Sequence, residues 1–524
     1  MREKFEEFRD IVVSLVERIR DLARSKFDQM RRMQDKIPFP VVMGILIVAF
    51  LLEVAVVGLL ISIGILPIYF LLLVIFVILA IDVGLFVLLT NRKMMKEKFY
   101  TGLILTTVLM ILFLPVSYYM YSTSDALKRI SSMRDQWEEY DVIALKDGSY
   151  KELDDIKGKE IFGIDNNSKM NTEARERLVT TADVEFKDKK DFMALAACLQ
   201  DGKGQKHDNV IFTSKSYYDI QCEEIEGFEK NTKVIYSVDV QKRALDRSRR
   251  VNVVKDSFNI YITGLDTWGS IDKVSRSDVN MIVTVNPQTR EILLTSIPRD
   301  AYVKLHTPGE MDKLTHSGIY GVDETLDTVS DWLDIELDYY VKVNFSMLVR
   351  LVDAIGGIKV YSDQAFDSAV SDYSYKKGWN KMGGKRALYF ARERKAFKNG
   401  DAQRVKNQQR VVKALIKKVT SNKVILMNYT EILDAFADNM VTNLSTKEMS
   451  ALARMQLRDM DKKWTVKSIN IKCKEASRGT YSMGMNRELY VNIPEQESVD
   501  NAKKQIHDVM YPVETSKDTN LLFP

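Results

Sequence analysis

Between Ala391 and Arg410 the sequence reads ARERKAFKNGDAQRVKNQQR, which packs Arg392, Arg394, Lys395, Lys398, Arg404, Lys406 and Arg410 into one short stretch. Such a run is either a solvated helix face or a grip on something strongly anionic. Three other places carry comparable chemistry. GLD ends a strand-like run with Asp266, VSRSDVNM offers Arg276 and Asp278 ahead of another, and SIPRD closes a third with Arg299 and Asp300. YFARER reads as a strand end, which would turn Arg392 and Arg394 to one face because alternate strand residues share a side. Asp401, Arg404 and Gln408 fall at i, i+3 and i+7, one face of a helix beginning near Asp401. Taken singly, each of these is more often a surface salt bridge than a site. Together they are the parts that a diphosphate and its metal need. Guanidinium forks match phosphate oxygens two at a time, and hard carboxylates such as Asp266 and Asp278 suit Mg²⁺. The same parts do not suit a neutral sugar.

The rest of the chain bounds that reading. Its 524 residues allow more than one domain. The balance of 76 basic against 72 acidic residues leaves no global basic field, so an anion site must be local and nucleic-acid binding is not indicated. Three cysteines (Cys198, Cys222 and Cys473) and four histidines without paired spacing provide neither a disulfide framework nor a zinc site.

From Val41 to Thr90 only Glu53 and Asp82 carry charge. That length fits two membrane spans of ~20 residues each with a turn near Gly64-Ile65-Leu66-Pro67, and a third apolar run covers Tyr100 to Met120. Arg24, Lys26, Arg31, Arg32 and Lys36 precede the first span, while Arg92, Lys93, Lys96 and Lys98 lie between the second and third. Basic loops stay cytoplasmic, which places the N-terminus inside the cell membrane and everything after about Tyr121 outside. Residues 1–36 read as an amphipathic helix lying on the membrane or facing a partner. Glu53 and Asp82 read as acids at helix contacts or near an interface.

Outside, a helix is expected over Ser124 to Tyr140, followed by a small α/β accessory unit with no convergent set of catalytic side chains. A second unit alternates strands (NIYITGLD, VNMIVTVN, EILLTSI, DYYVKVNF, GIKVY) with helices (GVDETLDTVSDWLD, FSMLVRLVDAIGG and the basic helix after Asp401), with a hairpin turn at Asn286-Pro287-Gln288-Thr289. This pattern predicts an α/β, αβα-layered domain around a central mixed sheet. The resulting division is 1–38 cytoplasmic segment, 39–121 three transmembrane helices, 122–250 linker helix and accessory domain, 251–515 catalytic domain and 516–524 tail. A lipid tail would need an apolar slot between sheet and helix, in the region YVKVNFSMLVRLVDAI, although those residues also read as ordinary core.

The ordered segments NIYITGLDTWGSIDKVSRSDVNMIVTVNPQTREILLTSIPRDAYV, DKLTHSGIYG, VDAIGGIKV and ALYFARERKAFKNGDAQRVKNQQRVVKAL together resemble the LytR-CpsA-Psr (LCP) family. Three spans and an extra outer domain are similar to its capsule-linked branch. The resemblance implies a Gram-positive envelope and an extracytoplasmic phosphotransferase. It would move a phospho-glycan, of capsular or teichoic-acid type, from a polyprenyl (di)phosphate carrier to peptidoglycan with Mg²⁺ (or Mn²⁺). Carried over by motif, Asp266 and Asp278 are the metal-linked acids. Arg276, Arg299, Arg392, Arg394 and Arg404 contact phosphate, with Lys313 and Gln408 also on the substrate. Arg276, Asp278, Arg299 and Asp401 form the catalytic set, and Asp401 and Asp300 are candidate bases. Two positions depart from the family pattern: Trp268 where Arg is frequent, and Asn407 at the start of NQQ where RQQ is frequent. The alternatives are a hydrolase of the same lipid diphosphate, or a non-catalytic membrane regulator binding lipid-linked glycan. The latter finds no helix-turn-helix or base-reading motif in the N-terminal segment.

Overall fold

The computed structural model describes residues 38–90, 96–131, 136–164, 169–200, 204–242, 251–265, 271, 273–398, 400–419, 429–437, 439–459 and 462–512. The amphipathic reading of residues 1–36, Asp266 and Trp268 therefore lie outside the described residues. The chain divides into two compact units, Met1–Asp125 and Ala126–Pro524.

The first unit contains three helices long and apolar enough to cross a membrane. They begin with α1 (Phe39–Ile63), α2 (Ile68–Thr90) and α3 (Lys96–Ser131). Even the shortest of them, at 1.5 Å per residue, spans the ~30 Å hydrocarbon core. The turn falls where the sequence places it. Gly64 adopts φ 66°, a left-handed cap whose N–H reaches Leu60 O, and such a conformation is open to glycine at little cost. Glu53 of α1 is buried and lies beside Asp82 of α2, so the two acids mark a helix contact.

One expectation fails at the end of the third span. No separate helix covers Ser124 to Tyr140, because α3 continues to Ser131 and residues from Gln136 are already a strand. The aromatic and β-branched run QWEEYDVIAL finds two strand partners, and cross-strand pairing outweighs its weak helical pattern.

The second unit contains two large sheets. The first has the order β3-β2-β4-β1-β5, with β1 (Gln136–Leu145), β2 (Glu160–Gly163), β3 (Glu185–Asp188), β4 (Val210–Ser214) and β5 (Thr232–Lys242). Helix α4 (Lys169–Ala182) places Ala174 and Leu178 against Val142, Phe212 and Val238. Helix α5 (Lys215–Glu224) starts directly after β4.

The second sheet has six strands: β6 (Phe258–Gly264), β7 (Val279–Asn286) and β8 (Glu291–Ile297), then, past the short hairpin β9 (Tyr302–Lys304) and β10 (Met311–Lys313), β11 (Tyr339–Val343). The two-stranded ribbon of β12 (Ile358–Ser362) and β15 (Gly378–Met382), with β13 (Phe366–Asp367) and β14 (Ser374–Tyr375) between them, stands apart. β16 (Met440–Thr442) and β17 (Thr465–Asn470) complete the order β16-β11-β6-β7-β8-β17, and β18 (Cys473–Thr480) pairs with β19 (Gly484–Pro494) as a further hairpin. β6–β7 and β7–β8 are antiparallel, while β6–β11 and β8–β17 are parallel, so the sheet is mixed as expected. GIKVY, expected among the strands of this sheet, instead forms β12 of the ribbon.

Helices cover both faces. On one side α6 (Val322–Leu333) and a C-terminal helix, Gln496–Met510, pack Val329, Leu333, Val499 and Ile506 on Tyr261, Ile282 and Leu293. On the other, Val412 and Ile416 of the basic helix lie against Phe258, Met281 and Leu294. Covered on two faces, β7 is buried along nearly its whole length, which is why it reads as a continuous apolar run rather than an alternation.

Candidate functional site

Three backbone segments bearing the predicted polar residues are tied together at one edge of this sheet. Asp278 N–H donates to Gly264 O (3.0 Å), Ser277 N–H to Thr315 O (3.2 Å) and Thr315 N–H to Arg299 O (2.8 Å). The loop of Arg276 also rests on Gly318, where a Cβ would lie 2.6 Å from Ser275 O and 2.7 Å from Ser277 N. Only glycine permits that approach.

On this frame Arg299 Nη1 donates to Asp278 Oδ1 at 2.6 Å, and its Nε lies 3.4 Å from Asp300. Lys313 Nζ lies 3.9 Å from Asp300 and 3.8 Å from Glu224. Asp300 thus serves two cations, which suits an orienting role better than that of a base. Beneath Lys313, the buried Asp312 carboxylate accepts from Ser482 N–H (2.8 Å) and from the Ser482 hydroxyl, and contacts His316 Nδ1 (2.6 Å). Burial alone would raise the Asp312 carboxyl, but His316 and the Ser482 donors bring it below its ordinary range. The i, i+4 pair Asp312 and His316 in DKLTH was the sequence signal for this support, and it was not read.

The cationic stretch sorts itself. YFARER is not a strand end: helix α7 (Phe345–Ala354) is followed, past the ribbon, by α8 (Gly384–Arg392). Its buried residues Ala387, Leu388, Phe390 and Ala391 follow helical spacing. Arg392 and Arg394 therefore do not share a strand face. They meet because the chain turns sharply at Glu393, which is fully buried and accepts from Ser368 Oγ (2.8 Å), Ala369 N–H (2.8 Å) and Ala396 N–H (3.1 Å). Burial opposes ionisation of Glu393, yet these donors hold its carboxyl below the usual range. The Arg392 guanidinium lies over the Phe345 ring at 4.3 Å. Helix α9 (Gly400–Val419) begins as expected, with Asp401 its second residue, and Arg404 is buried. Lys395, Lys398 and Lys406 are exposed, and Arg410 pairs with Asp363 at 2.6 Å. Asn407, one of the two departures from the family pattern, is fully buried and donates to Phe390 O at 3.2 Å. It joins α9 to α8.

Two cavities meet here. One, of about 750 Å³, is lined by Arg276, Asp278, Arg299, Arg392 and Arg394. The other, of about 390 Å³, runs between sheet and helices past Ile262, Val343, Leu351, Leu388, Val411 and Leu415, with Asp278, Arg392, Arg404 and Gln408 also on its wall. Leu265, Asp278 and Arg392 line both. The apolar slot lies in the expected region, and part of what read as core is its wall.

A carboxylate from the helix that follows β4 enters the polar cavity, a contact not among the candidate site residues. Glu223, near the end of α5, accepts from both Arg276 Nη atoms at 2.6 and 2.5 Å. Arg276 first, then Arg299 and Arg394, hold its carboxyl below the ordinary range. Asp219 of the same helix also lines this cavity. Among the described residues no group of three His, Cys, Asp or Glu side chains is placed to hold a metal ion.

A layered α/β domain whose arginine-lined mouth opens on an apolar slot is built for an anion carrying a long apolar chain. The chain belongs to the LytR_cpsA_psr family, which matches residues 220–507. It is 34% identical over 223 residues to the polyisoprenyl-teichoic acid–peptidoglycan teichoic acid transferase TagU of Enterococcus faecalis, covering 41% of this chain and 72% of that protein. It is 37% identical over 215 residues to the TagU of Bacillus subtilis, covering 41% and 68%. Among solved structures, Bacillus subtilis TagV aligns over 49% of this chain and 98% of its own, at 28% identity and a TM-score of 0.41.

Proposed function

We propose that the protein is a membrane-anchored phosphotransferase that moves a teichoic-acid-type phospho-glycan from a polyisoprenyl diphosphate carrier to a peptidoglycan hydroxyl. The observation that carries this reading is the shared wall of the two cavities. Asp278 and Arg392 border both the apolar slot and the arginine mouth, so a prenyl chain in the slot delivers its head group to the guanidiniums. The names of the family relatives agree with this substrate pair.

In this reading Arg392, Arg404 and Gln408 hold the lipid-side phosphate, while Arg276, Arg299 and Arg394 hold the glycan-side phosphate. The acceptor hydroxyl attacks the glycan-bearing phosphorus, the bridging P–O bond breaks, and polyprenyl phosphate leaves along the slot. Catalysis of this type rests on positioning and on donors fixed where charge develops, which is what the paired, partly buried Arg276 and Arg299 supply. Since Asp300 is committed to two cations, Asp401 at the start of α9 is the candidate to take the hydroxyl's proton.

Asp278 fits Mg²⁺ by its hard oxygens. With no three-ligand cluster among the described residues, the ion would be shared between Asp278 and substrate phosphates, the usual habit of Mg²⁺; Asp266 is the second candidate ligand. Bound there, it would neutralise charge on the diphosphate.

Everything after about Tyr121 is extracytoplasmic in this proposal, as the basic loops before α1 and α3 require. Cysteine labelling of whole cells near Gly309, and not near Lys96, is the expected pattern, and the reverse would overturn the topology. The function itself is tested with a labelled polyisoprenyl diphosphate-linked glycerol-phosphate polymer and peptidoglycan. Label should become wall-bound. Release of free polymer at equal rate with or without acceptor would mean a hydrolase instead. Three spans and an outer accessory unit also support a capsular donor, and the same assay with a capsule-type lipid decides the preference.

A further inference from the structure

The ribbon β12–β15 carries a basic groove away from the residues of the arginine mouth. Its outward face is set by register. Lys359 lies directly opposite Lys381, and Tyr361 opposite Trp379, all four on the exposed side of an alternating pattern. Two like charges opposed across a strand pair are unfavourable for the fold alone. Trp379 is 64% exposed, with its ring 5.6 Å from Tyr361 in an edge-on arrangement. Beside this face lies a groove of about 1030 Å³, to which Lys359, Lys381, Lys376, Arg386 and Trp379 all contribute. Its described lining holds no carboxylate. Among the described residues none of these four cations makes an ion pair, although Arg386 donates to Ser374 O and lies over the Tyr375 ring at 5.0 Å; in the mouth Arg299 and Arg276 are paired with Asp278 and Glu223.

We propose that this groove binds an anionic glycan, a chain of polyol or sugar units joined through phosphodiesters, and holds the polymer portion of the donor while its diphosphate sits in the arginine mouth. The inference rests on the phospho-glycan reading above. Charge complementarity argues for the occupant: exposed lysines set along a groove suit repeated phosphodiesters, and an exposed indole offers a flat face to a sugar or polyol stretch.

The test uses the full chain in detergent and three probes: a water-soluble poly(glycerol phosphate) oligomer without lipid, inorganic phosphate, and phosphatidylglycerol vesicles. Titration calorimetry should show the oligomer binding in a salt-sensitive manner, as expected for screened charges, with inorganic phosphate unable to displace it from the groove. In K359Q/K381Q the affinity should fall about tenfold or more, the scale of lost charge-assisted contacts, and W379A should weaken it further. K395A, an exposed lysine outside both the groove and the mouth, should leave oligomer binding unchanged. Equal oligomer affinity in wild type and K359Q/K381Q, or binding of vesicles but not oligomer through these residues, would overturn the proposal. Binding at the groove in a protein that transfers no phospho-glycan would sink the functional reading and leave the groove standing. Transfer by a protein whose groove binds nothing would do the opposite.

Discussion

The arginine mouth and the β12–β15 ribbon are both basic, yet they are built on opposite plans. At the mouth nearly every cation has a placed counterpart: Arg299 on Asp278, Arg276 on Glu223, Lys313 near Asp300, and Arg392 over Phe345. On the ribbon, lysines face lysines and reach into solvent. Paired, partly buried guanidiniums have their geometry chosen before substrate arrives, which is what a transition state needs. Exposed lysines keep their rotamer freedom and suit a chain whose phosphates can sit in many registers. Net positive charge alone would not separate the two; the counter-groups do.

The comparison breaks most readily at Arg299. R299A should lower the transfer rate by about 10²–10³-fold, the effect of removing a fixed electrostatic donor. A loss no greater than that of K395A would show the mouth to be a diffuse patch. The next largest effect separates cations within one stretch. R392A and R394A should each weaken binding of a polyprenyl diphosphate by about tenfold, from loss of a charge-assisted bond, whereas K395A and K398A leave it unchanged. Equal losses in both sets would remove the distinction between the arginines that line the cavity and the exposed lysines beside it.

Glu223 sharpens the contrast from the other side, since it occupies the Arg276 fork that a phosphate would use. E223Q should tighten polyprenyl diphosphate binding by a few fold. Because its carboxyl is held below the ordinary range, the contact is present above the unfolded value of about 4.3 and is lost only as pH falls through the lower folded value. The ratio of E223Q to wild-type affinity should therefore stay flat between neutral and mildly acidic pH. A ratio that collapses on mild acidification would mean the clamp is weak.

The smallest effect is a control on the accessory unit. Burial pushes the Asp141 carboxyl up to about 6, with one oxygen bonded to Ser237 Oγ and the other without a hydrogen-bond partner. A raised carboxyl favours folding below its unfolded value and loses that contribution as pH rises through the folded one. D141N should thus stabilise the unit by about 1–2 kcal/mol at neutral pH and by nothing near pH 4, measured by thermal melting. Lipid phosphate binding should not move, so any change there would trace the E223Q effect to a loosened accessory unit.

Local pattern was enough for much of this molecule. Uninterrupted apolar length fixed three long helices, alternating strands and amphipathic helices specified a layered mixed sheet, and Gly64 marked the turn between spans. These features depend on neighbours in the chain, so the chain displays them. The polar residues of the mouth were legible as types at strand ends, though not as contacts. What only tertiary structure decided were the encounters between distant segments. Arg392 and Arg394 converge through the buried turn at Glu393, not through strand alternation. Asn407 turned inward to hold α8 instead of facing substrate, and Glu223 reaches from the helix after β4 into the cavity beside the second sheet. The residues of α7 and α9 that periodicity could only call core became the wall of a slot, because whether an apolar face meets another face or a gap depends on how helices far apart in sequence pack.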